Sequence, residues 1–166
     1  MRAFATIHPA EVAGLVLIDS THERQWLEWD KLLGLPAGEN VAAAIADSKA
    51  KKDEITAREM EGLGDVWASG KLGLSDSLPD VPMAVITSLR PVPGQPPAAR
   101  KLWRSLHDEI FAATTHGMNI VTNKSGHNIS GEETDSVVDA IRWVVEAVRA
   151  EKFGGLPKGS SAKSGE

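Results

Sequence analysis

The chain has 166 residues, 42% of them hydrophobic and 25% charged, enough for one globular core of ordinary size. Its formal net charge of −5 argues against nucleic acid as a partner, and no apolar run approaches the roughly 18 residues a membrane span needs. Cysteine is absent, which removes disulfides, thiolate metal sites and a cysteine nucleophile and leaves the cytoplasm as the default compartment.

Residues 1–8 lack the apolar core and cleavage pattern of a signal peptide. They read as the end of a helix with no start cap, so we expect sequence upstream of Met1. An in-frame extension before the Met1 codon carrying Gly-x-Ser-x-Gly would meet that expectation. The run Val12-Ala-Gly-Leu-Val-Leu-Ile18 predicts a short strand buried on both faces, ending at Asp19-Ser20. From 23 to 67 the periodicity is helical. Trp26, Leu27, Trp29, Leu32 and Leu33 suit one helix, residues 41–51 a second and residues 54–67 a third.

Met83-Ala-Val-Ile-Thr87 predicts a second buried strand, and the proline-rich stretch 90–97 must be loop. Residues 98–115 predict a helix with Leu102, Trp103, Leu106, Ile110 and Phe111 on its apolar side. Met118-Asn-Ile-Val-Thr122 predicts a third strand. Residues 134–150 predict an amphipathic helix with Val137, Val138, Ile141, Val144, Val145 and Val148 on one face. The Gly/Ser/Lys-rich residues 151–166 read as a disordered tail. Strands alternating with helices imply an α/β fold with a three-stranded parallel sheet. The roughly fifty residues between the first two strands are too long for a simple crossover, and predict a helical cap.

Chemistry in an open parallel sheet sits beyond the carboxyl ends of its strands. Asp19-Ser-Thr-His-Glu23, Ser88-Leu-Arg90 and Asn123-Lys-Ser-Gly-His-Asn-Ile129 fall there. The last is the sharpest signal, because Gly126 allows a tight turn that projects the His127 imidazole over the sheet edge. A helix capped near Ser130 or Thr134 then anchors that loop.

These segments together resemble the α/β-hydrolase superfamily over residues 1–150. Residues 12–20 look like its sixth strand, 81–87 like its seventh, and Ser125-Gly-His-Asn-Ile129 like its catalytic-histidine loop. Residues 23–77 resemble the helical lid inserted between strands six and seven. The resemblance implies a partial α/β-hydrolase fold with flanking helices, acting on a small-molecule ester- or amide-type substrate by Ser–His–Asp chemistry without metal or organic cofactor. It makes His127 the general base. The commonest position for the acid, after strand seven, holds no Asp or Glu in 88–97. The alternative position after strand six offers Asp19, with Glu23 one loop further. Asp19 serves equally well as a plain turn cap.

No Gly-x-Ser-x-Gly is present. Gly73-Leu-Ser-Asp-Ser77 lacks the second glycine, and Ser125 lies too near His127 to be an elbow nucleophile. The chain is therefore expected to be inactive alone, lacking nucleophile and oxyanion hole. The alternative is a truncated or non-catalytic binding module of the same fold. Either way the edge of strand 14–18 is expected to be unpaired and to favour self-association. His22 and Glu23 read as surface polar groups rather than a metal site, and His107 and His116 as solvated or capping groups. Trp26, Trp29 and Trp67 read as packing between cap helices, with a substrate-pocket lining as the alternative.

Overall fold

A computed structural model describes residues 1–62, 64–69 and 78–153. Three short apolar runs form parallel strands: β1 (Leu15–Ile18), β2 (Met83–Ser88) and β3 (Gly117–Thr122), in the order β1-β2-β3. Leu15 stands opposite Met83, and Met83 opposite Gly117, so all three strands end at one edge of the sheet. Every residue of the central strand β2 is buried, the apolar run Met83–Ile86 and the Thr87 and Ser88 that end it alike. Among the described residues β1 and β3 are the sheet edges.

Helices flank both faces. Alternate residues Met83 and Val85 join Leu15, Leu17, Ala5 and Ile110 in one core cluster. Ala5 belongs to α1 (Arg2–Ile7) and Ile110 to α6 (Pro97–Phe111). Ala84 and Ile86 face the other way, against Ile129 of α7 (Ile129–Glu132) and Val137, Ala140 and Val144 of α8 (Thr134–Phe153). A Cβ at Gly14 would sit 2.6 Å from Val144 Cγ1 and 3.2 Å from the Pro82 carbonyl, so glycine permits α8 to close on the start of β1.

Between β1 and β2 the chain is helical: α2 (Gln25–Leu33), α3 (Glu39–Ala50), α4 (Glu54–Gly62) and α5 (Gly64–Ser69). Gly34, at φ 68°, ends α2 in the left-handed conformation that favours glycine, and the Leu35 amide donates back to the Asp30 carbonyl. The buried Asp30 carboxylate accepts the amides of Gly38 and Asn40 at 2.6 and 3.0 Å, fixing the start of α3 from α2. Residues 54–67, read as one helix, fall into α4 and α5. The stretch 70–77, with Gly73 to Ser77, lies outside the described residues.

Three sequence expectations change. Helix α6 stops at Phe111 rather than 115, because Thr114 donates to the Val81 carbonyl and Thr115 to the Asp80 carboxylate, turning the chain into β3. In α8 only part of the apolar stripe is covered. Val137, Ala140 and Val144 meet the sheet, whereas Val138, Ile141 and Val145 are more than two-fifths exposed. A stripe that wide exceeds what one sheet face can cover. Helix α8 also continues through Phe153, so residues 151–153 are helical, and the rest of the expected tail lies outside the described residues. No described helix is long and apolar enough to cross a membrane.

Candidate active site

Asp19 is the first residue beyond β1. Its amide donates to the Ile86 carbonyl at 2.7 Å, which holds it at the sheet edge, and its φ is 44°. The left-handed region is costly for a residue with a Cβ, although Asp tolerates it better than most. The side chain is buried, with three donors around it. Asp19 Oδ1 accepts the Ser88 amide and the Trp103 indole N–H, each at 2.9 Å, and Oδ2 stands 2.9 Å from His127 Nδ1. The two residues are 108 positions apart in the chain. A carboxylate can only accept, so the imidazole carries its proton on Nδ1 and presents its lone pair on Nε2. The His127 side chain is 81% exposed, so Nε2 is open to a reacting group.

The loop that carries His127 is tied at several points. Ser125 is fully buried, and its amide and hydroxyl both donate to Glu133 Oε1, at 3.1 and 2.5 Å. Thr122 donates to the same oxygen at 2.6 Å. The Ser125 hydroxyl, and then that of Thr122, hold the Glu133 carboxyl below its ordinary range. The Ser125 carbonyl in turn accepts the Ser88 hydroxyl at 2.7 Å. Arg90 bonds the Lys124 carbonyl at 3.2 Å and pairs with Glu132 at 2.5 Å. The loop thus answers to the end of β2 and to the start of α8 at once. Neither expected cap operates: Asn128 is the N-cap of α7 without a side-chain bond, and the Thr134 hydroxyl donates to the Ser130 carbonyl.

The role expected of Gly126 also changes. Its φ is not among the positive values. Instead a Cβ there would lie 2.5 Å from the Arg90 guanidinium, so glycine makes room for the arginine that clamps the loop.

Glu23, the other candidate acid, pairs with Arg2 and makes no contact with His127. His22 and His107 are corrections. His22 is 3% exposed, its Nδ1 accepts the Arg24 amide, and burial pushes its pKa down to about 4. His107 is 1% exposed, bonded to the Thr87 hydroxyl at 2.7 Å and the Ser20 carbonyl at 2.8 Å, and burial lowers its pKa too. The sequence suggests a polar surface position for His22 and a solvated or capping role for His107, because local pattern alone does not show what covers a side chain. His116 is exposed and pairs with Glu151 at 2.9 Å.

A cavity of about 570 Å³ opens beside the dyad, walled by Trp26 and Trp29 of α2, Trp103 and Arg100 of α6, Arg90 and His127. Trp26 also packs on Trp29 and Trp67, with ring centroids 6.2 and 5.7 Å apart. Packing and cavity lining are therefore one arrangement, and α2 faces the dyad across it. Sequence reasoning placed Trp103 among apolar residues and passed over Glu133. The latter had a legible signal, a carboxylate immediately before the longest helix. No known protein family, curated protein or solved structure matches the chain.

Proposed function

We propose that this chain supplies the acid–base half of a serine-hydrolase site, as its resemblance to the C-terminal portion of α/β-hydrolases implies. The observation that carries the reading is the Asp19–His127 contact at the carboxyl edge of the parallel sheet, with Nε2 open beside an aromatic cavity. In this reading His127 takes a proton from an attacking hydroxyl and returns it to the leaving group, while Asp19 fixes the imidazole tautomer and balances the imidazolium. Helices α2 to α5 act as the lid, and the substrate is a small ester or amide.

The hydroxyl is the missing part. Ser88 and Ser125 are committed to the Ser125 carbonyl and to Glu133, and among the described residues no hydroxyl bonds His127. The nucleophile and the oxyanion donors are therefore assigned to polypeptide beyond the described residues. The second reading, a binding module without catalysis, draws on the same vacancy next to a formed cavity.

A serine-reactive fluorophosphonate separates them. The 166-residue chain should not label, whereas the same chain preceded by a segment bearing Gly-x-Ser-x-Gly should label and lose that labelling with His127→Ala. Labelling of the chain alone that vanishes with His127→Ala would overturn the missing-nucleophile reading. Labelling of the extended chain that ignores His127→Ala would remove His127 as base. Self-association along the open edge of β1 belongs to the same proposal, and a concentration-independent monomer in sedimentation would remove it.

A further inference from the structure

We infer that the cavity beside His127 takes a ligand with an aromatic body and an anionic group, the anion resting on Arg100; this deepens the site reading above. The first support is charge. The chain is net negative, yet between Asp80 and Asp108 it holds Arg90, Arg100, Lys101 and Arg104 and no carboxylate. Two of these cations are already paired, Arg90 with Glu132 and Arg104 with Asp108. Arg100 and Lys101 have no ion-pair partner among the described residues.

The second support is position. Arg100 is half-buried and lines two cavities at once, the 570 Å³ aromatic one and a second of about 460 Å³. The second is lined also by Lys101 and by the Arg104–Asp108 pair, so cations outnumber carboxylates around Arg100. A half-buried guanidinium without a carboxylate is costly, and a bound anion offsets that cost with charge-assisted hydrogen bonds.

The third support is the character of the wall. Asp19, the acid at the cavity, has its oxygens engaged by Ser88, Trp103 and His127. The indoles of Trp26, Trp29 and Trp103 line the chamber and supply apolar faces for the aromatic body of the ligand.

The test is a matched pair of ligands, 2-naphthylacetate and the neutral 2-naphthylacetamide, titrated calorimetrically into the 166-residue chain at low salt. The carboxylate should bind about tenfold more tightly than the amide. Arg100→Gln should bring the carboxylate down to the amide's affinity while leaving the amide unchanged, and Arg100→Lys should keep part of the preference. Equal affinities, no binding by either ligand, or a preference that survives Arg100→Gln in a folded protein would overturn the inference. Binding is read without turnover, so a failed fluorophosphonate test leaves this result standing, and the reverse holds too.

Discussion

Trp103 and Ser88 converge on a single oxygen: the indole N–H and the backbone amide both donate to Asp19 Oδ1 at 2.9 Å, leaving Oδ2 to His127. An amphipathic helix, α6, thereby reaches into a polar site with a residue whose ring lies over His107 at 4.4 Å. Trp103→Phe keeps an aromatic ring and removes the donor. Losing a hydrogen bond to a buried charged group should lower stability by about 1–3 kcal/mol in urea unfolding. A stability unchanged within error would mean that the Ser88 amide alone suffices to hold the carboxylate.

Asp19→Asn tests the tautomer directly. An amide in place of the carboxylate can present its NH₂ to Nδ1, which then favours the form protonated on Nε2. Nitrogen-15 spectra of the His127 ring should show Nδ1–H in the native chain and a shift toward Nε2–H in the variant. In an active extended chain the same substitution should reduce kcat by orders of magnitude. Native Nδ1 protonation in Asp19→Asn would remove Asp19 as the orienting group.

The sheet was legible because β2 is apolar at consecutive positions, and only a strand buried on both faces can use that composition. Asp19 and His127 were legible from their places just beyond predicted strands. What the sequence hid depends on long-range covering. His22 and His107 look like ordinary polar residues of a loop and a helix until α6 lies beside His22 and the ends of β1 and β2 cover His107 through Ser20 and Thr87, leaving each about 3% exposed or less. Val138, Ile141 and Val145 look like core and are not, since periodicity records how wide a stripe is and never how wide its partner is. Gly126 stands where the sequence suggests, but what demands a glycine there is Arg90, 36 residues away in the chain, and not a tight turn.

The buried histidines give stability a defined pH dependence. His22 is ordinarily half-protonated at 6.5 but falls to about 4 in the fold, mainly through burial and partly against the attraction of Glu23. The unfolded chain therefore binds a proton between pH 6.5 and 4 that the folded chain refuses. Stability is fully present above 6.5 and declines as pH falls toward 4, by on the order of 2 kcal/mol once screening by the surrounding charges is allowed for. His107 is shifted the same way and adds to the slope. Urea midpoints across that window should fall less steeply for His22→Gln than for the native chain. Parallel curves would mean that His22 titrates normally in the fold.

Glu133 tests whether the loop tether governs the dyad. One of its oxygens gathers Ser125 N, Ser125 Oγ and Thr122 Oγ1, and Ser125 passes the restraint on to Ser88, whose amide holds Asp19. Its carboxyl sits below the usual range, so the tether is intact above pH 4.5 and weakens only as pH falls through the depressed value. Glu133→Ala removes the shared acceptor at any pH and leaves a buried hydroxyl unpaired. Global stability should drop by roughly 1–2 kcal/mol. Hydrogen exchange of the Ser125 amide should accelerate well beyond that of β2, because the loop opens without the sheet unfolding. If Ser125 exchange instead rises only in step with β2, the loop has no independent tether, and the His127–Asp19 distance is set by the sheet alone.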